Sequence, residues 1–316
     1  MGVADAGRDT SAGSFGPPPR VRQINAGVLS VGYYEVGPVD GVPVLLLHGF
    51  PYAIDSYREV APILAAGGCR VIVPHLRGHG STRFLADDVP RSGQQAAIGA
   101  DVVALMDALG IRSAVLAGYD WGGRAACVVA ALWPERCSGL VSVNGYLIQD
   151  IARAGSPLTP AIESGLWYQY YFTTERGRIG LAAHRRELAR VLWTRNSPRW
   201  RFDDETFARS AEVFGNSDYV DVVIHSYRHR LGLVKGYPAY ESLEQRLATL
   251  PIITVPTITL DGDADGVVPS TNGTGFAGRF SGAHTHRILR GVGHNPPQEA
   301  PKAFAGVVSE LVALTR

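Results

Sequence analysis

The feature that most constrains the fold is a series of continuous apolar runs, each ending in small or polar residues. "VPVLLLHG", "CRVIVPHL", "SAVLAGYD" and "CSGLVSVNG" are rich in Val, Ile and Leu with no alternation. Strands of that kind are buried on both faces, as in a parallel sheet covered by helices. Helix-like stretches separate them, one near Tyr57 to Ala66 and another, "AAIGADVVALMDALG", closed by Gly110. Connections of this type should be right-handed crossovers. The early segment "GVLSVGYYEVG" alternates, as a strand with one wet face does.

The pattern breaks after Gly145. From about Ile151 to Gln245 strand runs mostly vanish, and Arg-rich, aromatic-rich helical segments hold half of the chain's aromatic residues. The α/β pattern then resumes in "VPTITLDGDADGVVP", "THRILRGVGH" and the closing helix "APKAFAGVVSELVAL". The expected organisation is a flexible N-terminal arm over 1–20, an α/β core over 21–150 and 246–316, and a helical cap over 151–245. A chain of 316 residues suits one large core with an inserted subdomain.

Composition narrows the function. A net charge of +1 gives no electrostatic case for nucleic acid or an anionic membrane, and no apolar run is long enough to span a bilayer. Cys69, Cys127 and Cys137 lie in or beside apolar runs without paired spacing, which suggests buried free thiols and a reducing compartment. The first 20 residues lack the apolar centre of a secretory signal, so a cytoplasmic location is expected. The opening "MGVADA" approaches a myristoylation start but has Ala6 where Ser or Thr is needed.

Four segments point to one chemistry. "AGYDWGG" follows a strand-like run and precedes a small apolar helix, the setting of a nucleophile elbow, with Gly118 and Gly122 flanking Asp120. The following helix offers free N–H groups and positive dipole to that position. Taken alone, the aspartate could equally be a helix N-cap. "LLLHGFP" places Phe50 where its N–H, with that of Trp121, would form an oxyanion hole. "LDGDADGVVP" places Asp265 after a strand, with Asp261 and Asp263 close enough to compete; Asp263 is the runner-up but better suits a turn cap. "VGHNPPQEAP" places His294 after the next strand.

An aspartate nucleophile differs from serine because it is already ionised at neutral pH. It suits displacement at a saturated, polarised carbon and becomes an alkyl ester. His294, oriented by Asp265, would then activate water to attack that ester carbonyl. Neither metal nor cofactor is expected for these steps. An ordinary esterase is disfavoured, because Asp120 attacking an ester would yield a mixed anhydride.

With the elbow, "HGFP" and "GH..Q.E.P" together, the chain resembles the epoxide hydrolase branch of the α/β-hydrolase superfamily from Val21 onward. The resemblance implies a mostly parallel central sheet with helices on both faces and an inserted helical cap. It also implies two cap tyrosines that hold and protonate the epoxide oxygen. "WYQYYF" supplies Tyr168 at the first place and "HSYRHR" supplies Tyr227 at the second. A donor with a pKa near ~10 suits an alkoxide leaving group. Phe50, Pro51, Trp121, Trp167, Tyr171 and Arg124 are expected to contact substrate, and the aromatic cap suggests an apolar, aryl-bearing epoxide. A small-molecule substrate and a monomer or homodimer complete the expectation.

Two positions depart from the family pattern. Tyr119 replaces the usual His before the nucleophile, and Pro74-His75 stands where an acidic residue often precedes the turn Arg77 to Gly80. That turn is read as structural. The main alternative is a dehalogenase of the same Asp–His–Asp chemistry. Haloalkane dehalogenases resemble the elbow, including Trp121, but Phe50 provides no side-chain donor for halide. Haloacetate dehalogenases resemble "HGFP" but carry Arg directly after the nucleophile, and only Arg124 matches their second arginine. A non-catalytic protein on a hydrolase scaffold is the remaining alternative.

Overall fold

The apolar runs build one sheet in the computed structural model, which describes residues 20–315. The arm expected over 1–20, with its myristoylation-like start, lies outside the described residues except for Arg20. The strands are β1 (Arg22–Ala26), β2 (Leu29–Val36), β3 (Val42–Leu47), β4 (Cys69–Pro74), β5 (Arg83–Phe84), β6 (Ala114–Gly118), β7 (Cys137–Val143), β8 (Thr257–Gly262) and β9 (His284–Leu289). Their order is β1-β2-β4-β3-β6-β7-β8-β9, with β5 beside β2. All pairs from β4 to β9 are parallel, whereas β1, β2 and β5 join antiparallel.

Every residue of β6 is buried. Successive strand side chains point to opposite faces, so both faces of the sheet are covered there. The covering helices are α1 (Val60–Ala66), α2 (Gln95–Ala108), α3 (Asp120–Leu132) and the last helix, Pro301–Leu314. Between β7 and β8 every regular element is helical: α4 (Pro160–Gly165), α5 (Trp167–Thr173), α6 (Glu175–Ala183), α7 (Arg185–Asn196), α8 (Asp204–Ala211), α9 (Tyr219–Arg230) and α10 (Glu241–Ala248). The last of these packs against α2 and α3. No helix among the described residues is long and apolar enough to cross a membrane. Cys69, Cys127 and Cys137 are buried.

Two features seat α9 on the sheet layer. A Cβ on Gly93 would lie 2.3 Å from Val222 O, and one on Gly78 would lie 2.9 Å from Val222 Cβ. No side chain could stand at either place without moving the helix. A third tie joins α7 to the loop after β3, where Trp193 Nε1 donates to Pro51 O at 2.8 Å.

The Arg77 turn is held from below. Arg77 is buried, its guanidinium meets both Asp101 oxygens at 2.6 Å, and Nη1 donates to Ser92 O. Removing one partner of a buried pair strands the other's charge. Arg77→Ala is therefore expected to cost about 3–5 kcal/mol, read as a lower denaturation midpoint in urea. An unchanged midpoint would rule out this role.

Candidate active site

The chain runs from β3 outward to β4, then returns to β6 on the other side of β3. At such a reversal the loops leaving the two strands diverge and open a crevice at their carboxyl ends. The loop after β3 carries His48, Gly49 and Phe50, and the turn after β6 carries Asp120.

Asp120 has φ of +50°, in the left-handed region that non-glycine residues seldom adopt. Its neighbours make that turn possible. A Cβ on Gly122 would fall 2.0 Å from Leu47 O, and one on Gly118 would strike the Gly122 backbone. The carboxylate is aimed into the crevice, and Phe50 N–H donates to Asp120 Oδ1 at 2.7 Å. The loop is braced by His48, whose Nε2 accepts from Leu76 N at 3.1 Å, so its Nδ1 donates to Gly49 O at 2.9 Å.

His294 lies in the loop after β9. Its Nδ1 is 2.8 Å from Asp265 Oδ2, and its Nε2 faces Asp120 Oδ2 at 3.7 Å. Asp265 also accepts from Val267 N, Val268 N and Asn144 Nδ2, which fixes both carboxylate oxygens. The competing acids are used elsewhere: Asp263 Oδ1 caps Gly291 N, and Asp261 Oδ2 accepts from Thr271.

Burial disfavours charge on Asp120, but the His294 imidazolium, the Phe50 N–H and Arg124 outweigh it and hold the carboxyl below its usual range. Burial would likewise lower His294, but the Asp265 and Asp120 carboxylates raise it to about 10. A histidine raised on folding contributes stability that is complete below its unfolded value of about 6.5 and is lost as pH climbs through the folded value. The melting-temperature advantage of wild type over His294→Gln should therefore shrink from about pH 7 to pH 10. A gap that stays constant across that window would contradict the imidazolium.

Tyr168 on α5 borders the crevice and Tyr227 on α9 packs against its ring; both are buried, with ring centroids 5.6 Å apart. Phe50 lies 6.5 Å from the first ring and 5.6 Å from the second. Burial, then the Asp120 charge, pushes the Tyr168 phenol up to about 12. Burial, then Tyr168, drives Tyr227 well above the usual range. Both hydroxyls stay protonated at neutral pH and can donate.

A cavity of about 790 Å³ opens onto Asp120 and His294. Tyr168, Gln169, Tyr170, Arg124 and Arg230 border it. Several expected substrate contacts do not. Trp167 and Tyr171 pack within the helical layer, and the Tyr171 hydroxyl lies against Gly180 of α6. Phe50 and Trp121 stack at 5.5 Å and pack against the tyrosine rings instead. Pro51 is buried and turned to Trp193. The guanidiniums of Arg124, Arg153 and Arg230 also border the cavity.

Tyr119 acquires a role. Its hydroxyl is 2.7 Å from Ser56 Oγ, and its ring meets Tyr52 and Tyr57 edge-on, so it anchors the elbow to the loop after β3. Sequence reasoning missed Glu299, which accepts from Ser197 Oγ, Gly293 N and Asn295 N, while Ser197 Oγ accepts from His294 N. The signal was present as the acidic residue of "GH..Q.E.P". Arg230 was missed too, although it stands three residues after Tyr227 on one helix.

Comparison with known proteins follows this geometry. Residues 42–301 match the alpha/beta hydrolase fold family. A provisionally named epoxide hydrolase from Klebsiella pneumoniae is 52% identical over 92% of this chain and 97% of its own, with a TM-score of 0.91. The chain belongs to the α/β-hydrolase superfamily, in its epoxide hydrolase branch. Epoxide hydrolase B of Mycobacterium tuberculosis is 34% identical over 44% of this chain, which spans only 42% of that relative. Epoxide hydrolase A of the same species is 24% identical over 93% of this chain and 97% of its own length.

Proposed function

We propose that this α/β-hydrolase opens epoxides to vicinal diols through an ester on Asp120. The observation that carries the reading is a pair of buried, protonated tyrosines packed ring to ring, both acted on by the Asp120 charge, with Tyr168 bordering the cavity that holds that carboxylate. Tyr168 and Tyr227 hold the epoxide oxygen while an Asp120 oxygen attacks a ring carbon from the opposite side. The C–O bond of the ring breaks, and one tyrosine passes its proton to the emerging alkoxide.

Esterification removes the negative charge that helped keep His294 protonated, so the imidazolium gives up its proton, by way of water, to the tyrosinate left by ring opening, and the neutral ring can act as a base. It takes a proton from water, which attacks the ester carbonyl. The tetrahedral oxyanion is held by the N–H groups of Phe50 and Trp121, and the diol leaves. Asp265 keeps the imidazole in the required tautomer. The residues supply nucleophile, acid and base, so no cofactor enters the scheme.

Dehalogenation would need a halide cradle. The Trp121 indole is buried against the Phe50 and Tyr227 rings, and Phe50 has no side-chain donor to pair with it. Both facts favour the epoxide.

The test is one turnover with excess enzyme in ¹⁸O-water. Water attacks the carbonyl and not the substrate carbon, so the first diol should be unlabelled and the label should appear in the peptide containing Asp120. Labelled diol with unlabelled peptide would mean direct hydration and sink the ester. No diol from any of a broad epoxide panel would sink the reading.

A further inference from the structure

We infer that the epoxide taken by this site carries a carboxylate, gripped between Arg124 of α3 and Arg230 of α9. The inference rests on the epoxide reading but adds the substrate's charge. Each arginine stands one helical turn beyond a residue of the reaction: Arg124 four after Asp120, Arg230 three after Tyr227. Residues three or four apart share a helix face. The two helices therefore present nucleophile and acid at one place and two guanidiniums one turn further on. Both arginines border the same cavity as Asp120, Tyr168 and His294.

Arg124 is only 8% exposed and is held by a single bond, Nε to Leu147 O at 3.0 Å. Arg230 donates from Nη2 to Gln149 Oε1 at 3.1 Å and lies over the Tyr227 ring at 5.4 Å. No ion pair joins either to a carboxylate among the described residues, whereas buried Arg77 has Asp101. Burial and then the Arg230 charge depress Arg124 to about 10, against the pull of Asp120.

Asp120 attracts Arg124 through space without forming an ion pair. Asp120 is committed to Phe50 N–H and His294. Asp150 and Glu163 border the cavity without pairing to either arginine, and Glu163 Oε1 accepts from Leu158 N. Burying cations without counter-charge is costly, and a guanidinium fork matches a planar carboxylate. A monoanion also suits the neighbourhood of the Asp120 charge better than a dianionic phosphate. Since side chains one turn apart have Cβ atoms about 5–6 Å apart, the carboxylate should sit a few bonds from the attacked carbon.

Binding separates this claim from the chemistry. Titrating wild type with unreactive 4-phenylbutanoate and 4-phenylbutanamide should show the acid preferred by about 30-fold. Arg124→Gln and, independently, Arg230→Gln should erase most of that ratio, with Arg124→Lys restoring part of it. Equal affinities, or a ratio indifferent to both substitutions, would overturn the inference. Turnover of an ω-epoxy carboxylate and its primary amide then tests the two readings apart. Diol from both with no preference for the acid leaves epoxide hydrolysis standing and removes the clamp. A strong acid preference in binding with no diol from either keeps the clamp and removes the epoxide.

Discussion

Incubating the His294→Gln variant with an epoxide substrate should leave the protein heavier by the whole mass of that epoxide, on the peptide containing Asp120. Ring opening needs only the carboxylate and the tyrosines, so the first step survives. Ester hydrolysis needs a base for water, and Gln cannot accept that proton. Loss of a positioned general base costs about 10²–10⁴-fold, so steady-state turnover should fall by that factor while the ester accumulates. Gln keeps much of the ring's bulk beside Asp265, which limits collapse of the loop. An adduct lacking part of the added molecule would indicate a departing group and a displacement other than ring opening. Lost turnover with no adduct would mean that His294 acts before the ester forms.

The reverse outcome is expected when Tyr168 and Tyr227 both become Phe. Here the first step fails, because the alkoxide would leave without a donor in a buried site. Losing one preorganised donor typically costs 10²–10³-fold, so the pair should slow ester formation by about 10⁴-fold or more. Each single variant keeps one donor and should lose less. Phe preserves the ring contacts with Phe50 and Phe172. Rapid-quench measurement of the ester isolates the step. An unchanged rate of ester formation would remove both tyrosines from the chemistry.

Much of this architecture was legible because the relevant signals are local. Continuous apolar strands reveal burial on both faces, and the flanking glycines of "AGYDWGG" reveal a turn that tolerates no Cβ. Asp265 stood out from Asp261 and Asp263 by its place after a strand, and the structure brings it to His294 Nδ1. What stayed hidden depends on how the helical layer lies over the sheet. Trp167, Tyr168 and Tyr171 share one short helix, and only its orientation decides which of them reaches the cavity. Arg230 and Gln149 meet across 81 positions of sequence. Tyr119 was unreadable for the same reason, since its partner Ser56 comes from another loop.

The close approach of α9 to Gly78 and Gly93 acts as a mechanical datum for the reaction. That helix carries Tyr227 and Arg230, so the gap between proton donor and nucleophile is set where two side chains are missing, some way from the reacting atoms. A methyl group at either glycine would work like a shim, lifting donor and cation together while the Asp120–His294–Asp265 assembly stayed seated. Variation at these positions should thus tune ring opening separately from ester hydrolysis.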